Sequence, residues 1–272
     1  SVHQAGAAAR FDGIRAHGGV TDWAALVAQK DALVSGLRQA KYADLLPAYN
    51  NIAYLEGAGR ISEGGVAVNG SLVRAPKVII ATGTRPGVPA IPGIESIDYL
   101  TSTMALDLKD LPKSLIVVGA GFVGVELAQV FARAGVKVTV VCRSRLLPAA
   151  EPEISEALGV YFEQEGITVL GGVAYERCRK TDEGIELSIR KGDRPEVLVA
   201  DKMLIATGRS PNVEQLGLAE AGIRQSQGGA IAVDDRMRTS RKGTYAAGDV
   251  TGRDQFVYMA AYGAKLAAKN AL

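Results

Sequence analysis

The sequence predicts an α/β fold built on a parallel sheet covered by helices. Three observations predict it. The apolar run Leu115-Ile116-Val117-Val118 leads into Gly119-Ala120-Gly121-Phe122-Val123-Gly124, and a helical pattern runs on from Val125 to Ala134. After Gly135 a second run, Val136 to Val141, is nearly continuously apolar, as strands buried on both faces are. A strand ending in Ala-Thr-Gly occurs twice, at residues 78–83 and 203–208, each time followed by an Arg and a Pro (Thr84-Arg85-Pro86 and Arg209-Ser210-Pro211).

The elements follow in order. Residues 1–10 read as the tail of a helix. Thr21 is the expected N-cap of the next one, with Asp22 in the first turn, where the helix dipole favours a negative charge. Trp23, Leu26, Val27, Leu33, Val34 and Leu37 recur at helical spacing up to Lys41; Trp23 is read as a packing residue. Short β segments are expected at Ile52–Leu55 and Gly65–Val68, the latter joined through Asn69-Gly70 to Ser71-Leu72-Val73 as a hairpin. The strand Val78-Ile79-Ile80 is followed by a proline-rich connection, Pro86 to Pro92, and a domain boundary is expected near residue 98.

The helix after Gly124 is expected to carry Leu127, Val130 and Phe131 toward the sheet and to end at Gly135 as a C′ glycine. A helix from Glu153 to Glu165 stops at Gly166, and the strand Ile167–Leu170 follows. Ile185–Ile189 and Val197–Val199 suggest a small antiparallel meander around Gly192-Asp193. Met203-Leu204-Ile205 forms the strand before the second Ala-Thr-Gly, and Met259 to Leu272 reads as a helix.

Strand, GxGxxG, then helix is the context of a dinucleotide site. Gly119 permits the tight turn, Gly121 lets the backbone approach a pyrophosphate, and Gly124 lets helix and strand pack closely. The helix N-terminus offers free N–H groups and partial positive charge. The end of the following strand selects the ribose: an acidic residue there favours NAD, a nearby Arg favours NADP. Here Cys142 stands in the acidic position and Arg143 and Arg145 follow. A guanidinium pairs with phosphate through a planar fork and keeps its charge, so the site is expected to take NADP.

With 272 residues, 47% hydrophobic, 22% charged and a net charge of +2, the chain is expected to be globular and cytoplasmic. Its near-neutral balance gives no reason to expect nucleic acid or an anionic membrane surface as a partner. No apolar run reaches bilayer length. The two cysteines, Cys142 and Cys178, form no spacing motif and fit a reducing compartment; both read as small packing residues. His3 and His17 lack partner sets, so no metal site is expected.

Thr244-Tyr245-Ala246-Ala247-Gly248-Asp249, a strand running into Ala-Gly-Asp and then a helix, resembles the second flavin fingerprint of the FAD-dependent pyridine nucleotide–disulfide oxidoreductases. The two Ala-Thr-Gly motifs and the central glycine motif fall in that family's order. The resemblance covers essentially the whole chain. It implies a Rossmann-like NAD(P) domain inserted into a partial FAD-binding domain, with FAD and NADP as cofactors. Residues 1–98 would form the first part of the FAD-binding domain, residues 99–213 the NADP-binding domain, and residues 214–272 the return to the FAD-binding domain.

Position by position, Asp249 resembles the aspartate that hydrogen-bonds the flavin ribityl chain, although a capping Asp at a helix start has the same spacing. Val257 matches a backbone contact near the isoalloxazine, and Ala58, in Gly57-Ala58-Gly59-Arg60, one to the adenine. Thr82 and Gly83 would lie against FAD; Gly208 and Val173 would lie near NADPH. Glu126 resembles a glutamate close to the nicotinamide and reads equally as a helix-surface carboxylate. Three stretches, Gln255 to Tyr262, Tyr99 to Leu106 and Gln39-Ala40-Lys41-Tyr42, resemble the branch of the family that reduces Hg(II) to Hg(0). Dihydrolipoyl dehydrogenases, the nearest alternative, usually carry Glu where Cys142 stands. A reading of another class is a non-catalytic NADP-binding module. The family's N-terminal GxGxxG, its CxxxxC redox pair and its C-terminal dimerisation domain do not occur in this sequence. The resemblance therefore implies a central fragment, inactive alone, of a protein that is a homodimer at full length.

Overall fold

The computed structural model describes residues 5, 7, 8, 11–16 and 18–272. The helix tail expected over residues 1–10 lies mostly outside these residues, as do His3 and His17. In chain order the strands are β1 (Gly59–Ser62), β2 (Gly65–Val68), β3 (Ser71–Arg74), β4 (Val78–Ile80) and β5 (Thr84–Pro86); then β6 (Ser114–Val118), β7 (Lys137–Cys142), β8 (Thr168–Gly171), β9 (Ala174–Thr181), β10 (Gly184–Lys191), β11 (Arg194–Ala200) and β12 (Lys202–Ile205); and finally β13 (Arg209–Pro211) and β14 (Thr244–Ala246). Residues 1–41 and 86–208 form one compact unit, and residues 42–85 and 209–272 form another.

The first unit is built on the parallel sheet β12-β6-β7-β8. Leu115, Ile116, Val117 and Val118 of β6 are at most 1% exposed. Alternate residues of a strand point to opposite faces, and the two faces are covered differently. Leu115 and Val117 pack with Phe131 and Phe162 of the Phe122–Arg133 and Pro152–Gln164 helices. Ile116 and Val118 pack with Leu187 and Ile189 of the antiparallel sheet β11-β10-β9. The expected meander therefore has a third strand, β9. Its charged sequence hid it: Glu176, Arg177, Arg179 and Lys180 flank Cys178, which alone on the strand is fully buried.

Leu127 and Phe131 face the sheet as expected, but Val130 is 40% exposed. The buried stripe runs through Gly124, Val125, Leu127, Ala128 and Phe131. Val130, two residues past Ala128, lies about 200° round the helix from it. The helix Trp23–Arg38 is capped by Asp22, whose Oδ1 accepts from the Ala25 N–H at 2.9 Å, one residue after the expected Thr21. Trp23 packs on Phe131 with ring centroids 5.7 Å apart and donates its indole N–H to the Leu108 carbonyl at 2.8 Å. Trp23 is thus the packing residue the sequence suggested.

In the second unit the expected hairpin is β2–β3, extended by β1 into an antiparallel sheet. The β segment expected at Ile52–Leu55 does not form. Ile52, Tyr54 and Leu55 are 49%, 69% and 57% exposed, and an apolar run with nothing to cover it does not hold a strand. Strands β4 and β14 pair in parallel. Their Ile80 and Ala246 lie in a core with Ile61, Leu216, Ile231 and Val250. The C-terminal helix begins at Val257 rather than Met259 and seats Ala267 and Ala271 against Tyr245 and Ala247.

Candidate nucleotide sites of the two units

In the first unit the three glycines of the turn are distinguished by what a Cβ would meet. At Gly119 (φ 106°) it would strike the carbonyl of Ala206, and at Gly124 the carbonyl of Gly119. At Gly121 it would meet nothing within 4 Å. Two of the glycines are therefore required by close backbone contact inside the protein, and the third leaves open space at the helix start. Gly121 is the N-cap of the Phe122–Arg133 helix, and no side chain caps that terminus. An uncapped N-terminus beside open space suits an anionic pyrophosphate, so the turn fits a dinucleotide.

Glu126 lies exposed on this helix. Arg143 is exposed just past β7 and has no hydrogen bond or ion pair among the described residues. Arg145 is engaged inside the protein. It donates to Ser155 Oγ at 3.0 Å and to the carbonyls of Ala150 and Pro148 at 2.8 and 3.4 Å. Ser155 in turn donates to the Leu146 carbonyl. The two arginines, read alike in the sequence, thus stand in different surroundings. Cys142 is buried at the strand end, and burial pushes its thiol up; burial does the same to Cys178. Both are free cysteines and behave as packing residues. Tyr175, pushed up to about 12 chiefly by burial, donates to the Val141 carbonyl at 3.2 Å. Val173 is 3% exposed, with its N–H on the Cys142 carbonyl. Gly208 accepts from the Gly87 N–H at 2.9 Å, and Thr207 donates its hydroxyl to the Gly87 carbonyl at 3.2 Å.

In the second unit a cavity of 500 Å³ is walled by Gly57 to Gly59, Ile61, Val66, Val78 to Thr82 and Leu216. Ala58 and Thr82 both line it. At its rim Arg85 pairs with Glu214, which holds that carboxyl below its ordinary value. Thr82 and Asn212 bracket each other: the threonine hydroxyl donates to the Asn212 carbonyl at 2.8 Å, and the asparagine amide donates to the Thr82 carbonyl at 2.9 Å. Gly83 accepts from the Asn212 N–H at 3.0 Å. Val257 opens the C-terminal helix, 85% exposed.

Asp249 is tied into a side-chain network. Its Oδ2 accepts from the Thr84 hydroxyl at 3.0 Å; Arg209 Nε donates to Thr84 Oγ1 at 2.6 Å and Nη2 to the Thr84 carbonyl at 2.9 Å. Arg209 Nε lies 3.8 Å from Asp249 Oδ2. A half-buried carboxylate with one oxygen held from behind suits a polyol, which brings hydroxyl donors. The sequence motifs did not single out Thr84, Arg209 or Asn212. A signal existed all the same: the echoed segments Thr84-Arg85-Pro86 and Arg209-Ser210-Pro211 pair with each other as β5 and β13. Among the described residues no helix is long and apolar enough to cross a membrane, and no group of His, Cys, Asp and Glu could hold a metal ion.

A family model described as pyridine nucleotide-disulphide oxidoreductase matches residues 17–267. A mercuric reductase of Staphylococcus aureus is 41% identical over 263 residues, which cover 96% of this chain and 48% of that protein. One of Streptomyces lividans is 41% identical over 276 residues, covering 99% of this chain and 58% of that protein. Among solved structures, the HOCl-induced flavoprotein disulfide reductase RclA from Escherichia coli superposes with a TM-score of 0.84 at 29% identity, covering 100% of this chain and 59% of that chain. The chain thus spans about half the length of the curated relatives it matches.

Proposed function

This chain belongs to the pyridine nucleotide–disulphide oxidoreductase family, and from that premise we propose that it is the central part of an oxidoreductase that reduces Hg(II) to Hg(0) with NADPH. The family's cofactors are FAD and NADP(H). The observation that carries the choice of mercury is the 41% identity to mercuric reductases along 96% of the chain. The net reaction balances as NADPH plus Hg(II) giving NADP⁺, a proton and Hg(0). When bound, FAD supplies the two-electron relay between nicotinamide and acceptor.

This chain's own residues bind and orient. Gly119, Gly121 and Gly124 shape the backbone turn for the NADPH pyrophosphate. Arg143 meets the 2′-phosphate, and Arg145 holds the loop from which Arg143 projects. Gly208, Val173 and Glu126 lie along the same nucleotide, Glu126 nearest the nicotinamide. On the flavin side Ala58 contacts the adenine, Thr82 and Gly83 lie along the cofactor, Asp249 accepts from the ribityl hydroxyls, and the Val257 backbone meets the ring system. In this reading residues 99–213 are the NADP-binding domain, with 1–98 and 214–272 as parts of the FAD-binding domain; the compact units divide the chain at 85/86 and 208/209 instead, and residues 1–41 belong to the unit of the glycine turn. Cys142 and Cys178 are no redox pair: they sit on different strands with buried, free thiols. The chain alone therefore binds NADPH without turnover, and the full-length protein works as a homodimer in the cytoplasm.

The test is NADPH oxidation, followed at the nicotinamide absorbance, by the natural protein that carries this chain. Stimulation by Hg(II) is expected. Stimulation by lipoamide or another disulfide but not by Hg(II) would move the substrate to a dithiol–disulfide couple, the reading favoured by the likeness to a flavoprotein disulfide reductase. Hg(II)-dependent turnover by the 272-residue chain alone would overturn the claim that it is inactive.

A further inference from the structure

We infer that Thr84 and Arg209 are positioning residues that fix the Asp249 carboxylate so that one of its oxygens is presented to a hydroxyl donor of the flavin. The inference rests on the reading of Asp249 as a flavin residue. It follows from the direction of the hydrogen bonds. A guanidinium can only donate, and an ionised carboxylate can only accept. Arg209 Nε donates to Thr84 Oγ1 at 2.6 Å, so the single hydroxyl hydrogen of Thr84 is left for Asp249 Oδ2 at 3.0 Å. The order Arg209 to Thr84 to Asp249 has one possible polarity.

A second bond, from Arg209 Nη2 to the Thr84 carbonyl at 2.9 Å, fixes the guanidinium plane. With Nε 3.8 Å from Oδ2, the positive charge also draws the carboxylate to that side. Oδ2 is thereby occupied, and Oδ1 has no hydrogen bond among the described residues. Oδ1 is the acceptor left for a ligand, at an orientation set by residues that do not touch it. Serine at position 84 would keep the hydroxyl; valine would keep the shape and lose it.

The experiment measures FAD affinity of the natural protein that carries this chain by quenching of flavin fluorescence, beside the thermal midpoint of its apoprotein. Thr84→Val is expected to weaken FAD by about tenfold, the loss of one hydrogen bond to a charged group, and Thr84→Ser to restore it. In an Asp249→Ala background Thr84→Val is expected to change nothing further. A merely structural threonine would instead lower the midpoint without FAD and cost the same affinity in both backgrounds, which would overturn the inference. Should Thr84→Val fail to fold, Arg209→Met breaks the same relay from its outer end and is expected to weaken FAD several-fold only where Asp249 is present. If Asp249→Ala weakens FAD and neither relay variant does, the positioning role falls and the reading of Asp249 stands. If Asp249→Ala has no effect on FAD affinity, the reading falls and the inference with it.

Discussion

The two candidate sites are made in opposite ways. The turn of the first unit is shaped by missing side chains: Gly119 and Gly124 bring backbone against backbone, and Gly121 leaves room. The Asp249 site of the second unit is shaped by side chains reaching across the chain, Thr84 to Asp249 and Thr82 to Asn212. A backbone-shaped site is tolerant of what surrounds it and intolerant at three positions. A site shaped by side chains spreads its requirements over residues far apart in sequence, each replaceable at a modest cost.

The largest effect expected from this contrast lies within the glycine turn. Gly124→Ala would drive a Cβ into the Gly119 carbonyl, with no flexible side chain there to give way. A loss of about 3 kcal/mol in urea unfolding is expected. Gly121→Ala, facing open space at φ −75°, should leave stability within about 0.5 kcal/mol and, under the proposed approach of its backbone to the pyrophosphate, weaken NADPH at least about tenfold. Equal stability losses at the two positions would erase the distinction between a packing glycine and a ligand glycine.

The arginines of the first unit carry the next effect. Arg143→Glu should weaken NADPH by about tenfold to a hundredfold while sparing NADH, the worth of one charge-assisted bond. Arg145→Ala should lower the melting temperature through the lost bonds to Ser155 and Ala150, and weaken both nucleotides alike. Matched titrations with NADPH and NADH separate these outcomes.

A pH series sharpens the comparison differently. Cys142, Cys178 and Tyr175 all lie in the first unit and are all pushed up, chiefly by burial. Their protonated forms are favoured in the folded state. Stability from them is complete below the ordinary values and falls as the unfolded chain ionises first. The decline begins near 9.0 for the thiols and runs from 10.0 to about 12 for Tyr175. On alkaline titration the first unit should lose protection in hydrogen exchange before the second; simultaneous loss would contradict this.

The smallest effects belong to the threonines of the two Ala-Thr-Gly motifs. Thr82→Val and Thr207→Val each delete one hydroxyl bond to a backbone carbonyl. A cost of about 1 kcal/mol each is expected in chemical unfolding, with the two adding independently.

What the sequence made legible follows the same division. The strand–turn–helix of the first unit could be read because glycine is required where backbone meets backbone, and because fully buried strands are continuously apolar. The hairpin could be read because Asn69-Gly70 suits a tight turn. Strand β9 could not, since a half-exposed strand of Glu176, Arg177, Arg179 and Lys180 carries no apolar alternation. Ile52–Leu55 misled for the converse reason: apolar residues stood together with no partner to cover them. Asp249 was singled out only through resemblance. Its supports Thr84 and Arg209 left one faint trace, the echo of Ala-Thr-Gly with its Arg and Pro.

That echo has a consequence for how the chain is put together. In each unit the Ala-Thr-Gly end is stitched to the other passage of the chain: Gly208 accepts from Gly87 in the first, Gly83 from Asn212 in the second. The stretch from Pro86 to Gly208 therefore leaves and returns at a single point, with its ends one hydrogen bond of 2.9 Å apart. A segment whose two ends already touch is a cassette. It can be exchanged for a cassette of different nucleotide preference without stretching the join, provided the newcomer keeps the surface on which Trp23 packs.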